Sequence, residues 1–328
     1  MRLLEFPIQI SGQTLTDYII KSPFNQGNYS KLSVYPTDDG SISIHSSDFH
    51  EGFHSSSGAL RESHQKFLQP AQIERFKGSA GIHILDVCVG MGYNSACIIE
   101  KLISNSIPFK WWGLEKDNRP IEMGTSHPTY KNIWSREVNQ ILRSIQKDGF
   151  WNYQTNQGEI LWGDARQKLA CISSEFSFDL ILLDPFSPSK CPMLWTEEFL
   201  SQLATRLAPD GRLLTYSCAA AIRASLRRTG LEIASQIPID KETTRWSNGT
   251  IAISTTRGSE KIIVGKSWQP LSKREEEHLL TRAAVPYRDP SGKGNKIEIL
   301  KRREREQTES NLEITNDWKK RWRKTAQS

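Results

Sequence analysis

Ile82–Ser95, IHILDVCVGMGYNS, decides how the rest of the chain is read. Ile82 to Val89 is a short apolar run with β-branched residues, the pattern of a buried strand. Gly90 and Gly92 flank Met91, and from Asn94 onward apolar residues recur at helical spacing. Strand, glycine turn and helix in that order build a cofactor site on a doubly wound α/β sheet. Glycines let the backbone approach a ligand, and the unpaired N–H groups of a helix start attract an anion. The pattern Asp86-x-x-x-Gly90-x-Gly92-x-Asn94 marks these four residues as cofactor-site candidates. A dinucleotide fingerprint needs a further glycine where Ser95 stands, which argues against nicotinamide and flavin. S-adenosyl-L-methionine, with a carboxylate to place and no pyrophosphate, suits the turn. A glycine turn of this kind also serves structure alone.

The flanking segments extend an α/β reading. Ala96, Ile99, Leu102 and Ile103 form one apolar helix face. Phe109 to Leu114 is a second strand that ends in Glu115, where this fold places an acid against ribose hydroxyls. Lys116 and Asp117 are expected to face solvent. Residues 118–157 read as mostly helical. Glu159 to Trp162 is a third strand followed by Gly163 and Asp164, which is both a helix N-cap and a candidate for the adenine amino group. Phe178 to Leu183 (FDLILL) is a buried strand that ends in Asp184-Pro185-Phe186-Ser187-Pro188. Two prolines stiffen this loop at the carboxyl end of a central strand, where ligands sit, so Asp184 is the catalytic candidate. Thr196 caps a following helix, Pro209-Asp210-Gly211 turns into a strand from Arg212 to Cys218, Ala219 to Arg228 is another helix, and Asn248 to Thr255 is a final strand expected to be antiparallel.

Before this core, residues 1–80 read as short strands and turns, punctuated by Pro23-Phe24-Asn25, Pro36 and Asp39-Gly40, and then a helix interrupted at Pro70. Glu62 lies on that helix, as part of either a solvated face or a lid over the cofactor. His50 to His54 spells HEGFH, a literal zinc-protease pattern. Gly52 and the serines that follow oppose the helix that such a site requires. Residues 81–256 are the expected cofactor-binding core, and residues 257–328 a charged tail. The tail's clusters at 301–305 and 318–324 read as solvated runs, or as an RNA contact through phosphates and interleaved tryptophans.

The chain has 328 residues and a net charge of +6, compatible with a polyanionic partner and equally with a plain cytoplasmic enzyme. No apolar run approaches the roughly 20 residues of a membrane span. The five cysteines are scattered and never spaced as CxxC, which fits reduced thiols in the cytoplasm and no zinc site.

The segments DGSISIHSSDFHEGFHSSSGALRESHQKFLQ, DVCVGMGYNS, LEKD, GDA and LLDPFSPSKCPMLWTEEFL, followed by LAPDGRLLTYSCAAAIRASLRRTGLEI, resemble in that order the MnmC-type tRNA 5-methylaminomethyl-2-thiouridine methyltransferases. The resemblance covers roughly residues 38–235. Its most specific part is the loop carrying Asp184, Phe186, Pro188, Lys190, Pro192 and Trp195. It implies a class I methyltransferase with a Rossmann-like, doubly wound, mostly parallel sheet and an antiparallel final strand; the N-terminal β extension is read from the residues, and the basic C-terminal tail from Trp268 onward is extra to the family. It also implies S-adenosyl-L-methionine as cofactor and methylation of an aminomethyl group on a wobble uridine in the tRNA anticodon region. Asp184 is then expected to orient the amine, with Phe186, Lys190 and Trp195 on the substrate side. Many members carry a flavin-dependent oxidase as well; this sequence resembles the stand-alone form, and a monomer is favoured. The first glycine of the family's turn is replaced here, with Cys88 or Val89 in that region. The rival classes are an aminopropyltransferase, a nicotinamide dehydrogenase and a non-enzymatic RNA-binding protein.

Overall fold

The computed structural model describes residues 9–10, 13–14, 31–237, 247–254 and 267–325. The turn at Pro23-Phe24-Asn25 lies outside the described residues. In chain order the strands are β1 Gln9–Ile10, β2 Gln13–Thr14, β3 Leu32–Pro36, β4 Ile42–Ser46, β5 Glu51–Gly52, β6 Ile82–Val87, β7 Phe109–Glu115, β8 Phe150–Tyr153, β9 Asn156–Trp162, β10 Phe178–Leu183, β11 Leu207–Thr215, β12 Glu232–Gln236, β13 Thr250–Ile253 and β14 Trp268–Pro270.

Nine strands form the central sheet in the order β14-β12-β13-β11-β10-β6-β7-β9-β8. The pairs from β11 through β10, β6 and β7 to β9 are parallel. β13 inserts antiparallel between β11 and β12, as expected of the final strand of the core. Strands buried on both faces must be apolar throughout, and β10 shows why FDLILL reads as it does. Leu180 and Leu182 join the apolar cluster on one face, while Ile181 and Leu183 join the cluster on the other. In register, Leu183 pairs with Val87, Val87 with Leu114, and Glu115 with Trp162. The carboxyl ends of four parallel strands therefore share one edge, and the residues just past them meet there.

Three departures from the sequence reading have local causes. Residues 118–157 include β8, an edge strand pairing antiparallel with β9 and anchored by the buried Trp151. The Pro209-Asp210-Gly211 turn lies within β11, with Asp210 at φ +59° and a register shift opposite Phe178. From residue 267 on, the C-terminal segment packs on the core: β14 extends the sheet, and Tyr287, Ile299 and Trp318 are buried. Arg223 fixes it from inside, donating to Glu275 at 2.8 Å with both side chains 1% exposed. A reading of this segment as a solvated run misses the part of its apolar residues that is buried, although Leu280, Ile297, Leu312 and Ile314 stay exposed.

The N-terminal extension is a second, three-stranded sheet, β3-β4-β5, whose Leu32, Val34, Ile42 and Ile44 belong to the same cluster as Ile84 and Tyr93. Its β3–β4 turn has Gly40 at φ +81°. The HEGFH stretch contains β5, so its two histidines do not share a helix face. The following helix runs Ala59–Ser63, continues as a π turn over His64–Leu68, and resumes at Gln69–Ala71. Pro70 has no N–H for the Lys66 carbonyl, which an α-helix would have paired with it. That carbonyl accepts instead from Gln236 Nε2 at 3.0 Å, tying the π turn to β12.

Candidate active site

A cleft of about 870 Å³ opens over the aligned strand ends, within the size range of small-molecule sites. The β6 turn forms its floor. Cys88, at φ +70°, lies in the region of the family's replaced first glycine and adopts the left-handed conformation that a glycine would take without strain. Gly90 follows at φ +56°, and a Cβ there would stand 3.2 Å from the Phe53 ring. The turn and the extension thus close on each other tightly enough that a side chain at Gly90 would need the Phe53 ring to shift as well as a left-handed backbone.

On the β7 side stands Glu115. One carboxylate oxygen accepts the Gly90 N–H at 2.9 Å; the other accepts those of Lys116 at 2.6 Å and Asp117 at 2.9 Å. Burial pushes its carboxyl above the usual range against these three donors. A carboxylate offers about four acceptor directions, so one on the Gly90-bound oxygen is left for a donor in the cleft.

On the β10 side, Asn94 donates to Asp184 at 2.7 Å and accepts from the Ser63 hydroxyl at 2.7 Å. The Asp184 N–H bonds the Val87 carbonyl at 3.1 Å, which locks the loop start to β6. Burial lifts Asp184 to about 7, with Asn94 and Lys66 opposing and Glu62 adding to the rise. Glu62 itself lies below its usual value: burial raises it, but Lys66 and the Ser55 hydroxyl outweigh burial. Phe186 stacks on Phe49 at 4.2 Å and meets Phe53 edge-on at 4.9 Å. Glu51 accepts from the Ser187 hydroxyl at 2.8 Å and so joins the extension to the Asp184 loop.

Six of the candidates therefore line one cleft: Glu62, Gly90, Asn94, Glu115, Asp184 and Phe186. The other five do not, each for a visible reason. Asp86 is 0% exposed and bonded to Ser95, whose hydroxyl also accepts from Trp111 at 2.7 Å, so it braces the turn from beneath. Gly92 faces Leu142 and Tyr130, and a Cβ would stand 3.1 Å from Leu142; it is a packing glycine. Asp164 caps the short helix after β9, and its carboxylate is held by Arg166 at 2.7 Å, itself fixed by Asp289 at 2.8 Å. Trp195 is fully buried and donates to the Phe186 carbonyl at 2.8 Å, so its ring offers no face to a base. Lys190 sits on the outer turn of the loop, its N–H on the Ser187 carbonyl. Conversely, Lys116 and Asp117, read as solvent-facing, lie on the cleft rim. Lys66, Phe53 and Tyr216 line the cleft without having been singled out. The spacing of Lys66 four residues after Glu62 was the one sequence signal for any of them.

The strand order, the glycine turn and the strand-end carboxylates define a class I S-adenosylmethionine-dependent methyltransferase. A family described as S-adenosyl-L-methionine-dependent methyltransferase matches residues 128–248. The solved structure of MNMC2 from Aquifex aeolicus is similar, with a TM-score of 0.70 at 27% identity, covering 88% of this chain and 87% of that one. An uncharacterised protein of Methanocaldococcus jannaschii is 26% identical over 271 residues, 82% of this chain and 70% of its own length. The tRNA 5-methylaminomethyl-2-thiouridine biosynthesis bifunctional protein MnmC of Azoarcus sp. is 28% identical over 204 residues. That match takes in 58% of this chain and 31% of the relative, so the chain spans under a third of it. The chain is similar to MnmC-type methyltransferase domains, and its cofactor is S-adenosylmethionine. The residues present fit that molecule, since the spare acceptor direction of Glu115 meets the chemistry of ribose hydroxyls. Among the described residues, no helix is long and apolar enough to cross a membrane.

Proposed function

We propose that this protein transfers a methyl group from S-adenosylmethionine to the aminomethyl nitrogen of a modified wobble uridine in tRNA. The observation that carries the reading is Asp184, a carboxylate fixed by Asn94 at the end of β10 and flanked by an aromatic wall. The MnmC name of relatives supports the choice of acceptor.

Bound S-adenosylmethionine supplies an electrophilic methyl on a sulfonium. Glu115 accepts from the ribose hydroxyls, and the Gly90 turn lets the backbone approach. The acceptor amine, like lysine, titrates near ~10 and reaches the site mostly as ammonium. Asp184 accepts an N–H of that ammonium and takes its proton, and the neutral amine so formed is held with its lone pair along the cleft, a positioning task that lowers the barrier by several kcal/mol. One Asp184 oxygen is held by Asn94, so the proton passes to the other. A carboxyl raised to about 7 takes that proton more readily than one at 3.8. Phe186 offers a face on which a base outside a helix rests. Trp195 holds Phe186 in place, and Lys190 adds charge toward phosphate on the outer side of the loop.

The decisive experiment is nucleoside analysis of tRNA from cells lacking the protein, paired with single-turnover methylation of undermodified tRNA by the purified protein. Accumulated aminomethyl uridine and its conversion in vitro are the expected results. Unchanged tRNA in the deleted strain, together with methylation of a free small amine, sinks the tRNA assignment.

A further inference from the structure

Lys66 is an unusual residue to bury. Its relative exposure is 9%, it lines the cleft, and its ammonium lies 3.3 Å from Glu62 and 5.9 Å from the centre of the Tyr216 ring. A lysine four residues from a glutamate on a helix ordinarily faces water, where such a pair adds little. Here the pair is turned inward, with the side chains 11% and 19% exposed. Burying two charges costs more than their mutual attraction returns unless further partners complete them. An ammonium has three donors, and among the described residues Glu62 is the one acceptor within bonding reach of Lys66. The side chain is therefore incompletely satisfied next to open space. The π turn that carries it is pinned through the Lys66 carbonyl to Gln236, so the placement is rigid.

The sheet order says what stands beside it. β10, β6 and β7 are neighbours, with Asp184 past the end of β10 and Glu115 at the end of β7. Ser63, between Glu62 and Lys66, bonds Asn94, which bonds Asp184. The Lys66–Glu62 pair thus belongs to the β10 side, across the glycine turn from Glu115. A ligand whose ribose meets Glu115 and that lies along the strand ends brings its far end to this pair.

We propose that Lys66 and Glu62 together receive the amino-acid end of S-adenosylmethionine, Lys66 donating to the α-carboxylate and Glu62 accepting from the α-ammonium. The inference rests on the cofactor placement described under the proposed function. An anion and a cation side by side match an α-amino acid, which carries the opposite charges at a similar separation. The assignment makes Lys66 a specificity residue. It separates the methyl donor from its decarboxylated form, the sulfonium that donates aminopropyl groups, which lacks the one group Lys66 would hold. It thereby gives a physical reason why this cleft favours methyl transfer over aminopropyl transfer.

The test is calorimetric and needs no turnover. Binding of S-adenosylmethionine, decarboxylated S-adenosylmethionine and 5′-methylthioadenosine is measured for the full chain and for Lys66→Met and Lys66→Arg, with thermal unfolding to confirm the fold. The natural protein should prefer the carboxylated sulfonium by about 10- to 100-fold, the size of one charge-assisted hydrogen bond. Lys66→Met should erase that preference while leaving 5′-methylthioadenosine, which has no amino-acid end, bound within about twofold. Lys66→Arg should keep part of the preference. A folded Lys66→Met protein that still prefers the carboxylated form overturns the assignment, as does natural protein that binds both sulfonium forms alike. Natural protein that binds none of the three ligands refutes the cofactor placement itself.

Discussion

Replacing Asp184 by asparagine should make the protein more stable and less active, and pH separates the two effects. Burial raises the Asp184 carboxyl from 3.8 to about 7. Its folded value lies above its unfolded one, so between about pH 4 and pH 7 the folded state holds a proton that the unfolded chain has released. Stability falls across that window, and the whole cost is present above it. At about 1.36 kcal/mol per pH unit the cost is on the order of 4 kcal/mol at pH 8 and between 1 and 2 kcal/mol at pH 5. Asp184→Asn removes it and keeps an acceptor oxygen for Asn94, which now donates at 2.7 Å. The advantage of the variant over the natural protein should therefore grow by about 2–3 kcal/mol from pH 5 to pH 8. Asp86, Glu62 and Lys66 face the same region and set its field in both proteins, so they largely cancel in the comparison. Single-turnover methylation should fall by about 10² to 10⁴ if proton removal dominates. Urea titrations at the two pH values and rapid-quench methylation measure both. An equal stability difference at pH 5 and pH 8, or a natural methylation rate in the folded variant, refutes the reasoning.

Glu115→Gln should weaken cofactor binding by about 1–3 kcal/mol in calorimetry, because the amide loses an acceptor that three backbone N–H groups and the ribose share; unchanged affinity removes Glu115 from the site. Cys88→Gly should leave stability equal or raise it by up to ~1 kcal/mol, since left-handed backbone costs an L residue about 1–2 kcal/mol, more than the entropy glycine loses. A loss of more than ~1 kcal/mol on urea unfolding contradicts that account. Truncation after Leu300 removes the buried Trp318 and the Arg303 donors to Val285 and Ala283. It should lower stability by at least ~2 kcal/mol, as loss of a buried aromatic does. Thermal unfolding that matches the full chain shows instead that these contacts contribute nothing.

The parts of the site legible in the sequence are those that end a continuous apolar strand. FDLILL can only be a buried strand, so the residue after it, Asp184, has to emerge at the sheet edge; the same logic places Glu115 and Gly90. Positions that depend on a distant partner were out of reach. Nothing near Asp164 announces Asp289, whose hold on Arg166 keeps the Asp164 carboxylate turned from the cleft. Trp195 follows the loop directly, yet its burial depends on helices that pack below it. Asp86 and Gly92 match the pattern at the right spacing, but spacing does not tell a residue that touches a ligand from one that braces the turn. Lys66 was hidden by Pro70, which reads as a helix breaker and acts as the cause of a π turn. The C-terminal segment was legible in its charge and misleading in its role, because seven buried apolar residues among those described suffice to dock it.

The wall of the cleft is assembled from segments that are made far apart in time. Phe49 and Phe53 pack on Phe186, and Glu51 bonds Ser187, 136 residues later. At a synthesis rate of about 5–20 residues per second, the ribosome delivers Phe186 roughly 7 to 27 s after Phe49. Throughout that interval the extension presents two uncovered phenylalanines and a short strand with an open edge. Slower translation lengthens the exposure, and a nascent-chain chaperone that binds aromatic segments has its longest access here. The ribosome-bound chain should thus be most vulnerable to aggregation and proteolysis at its N-terminal sheet, although in the finished molecule that sheet is tied to the active-site loop.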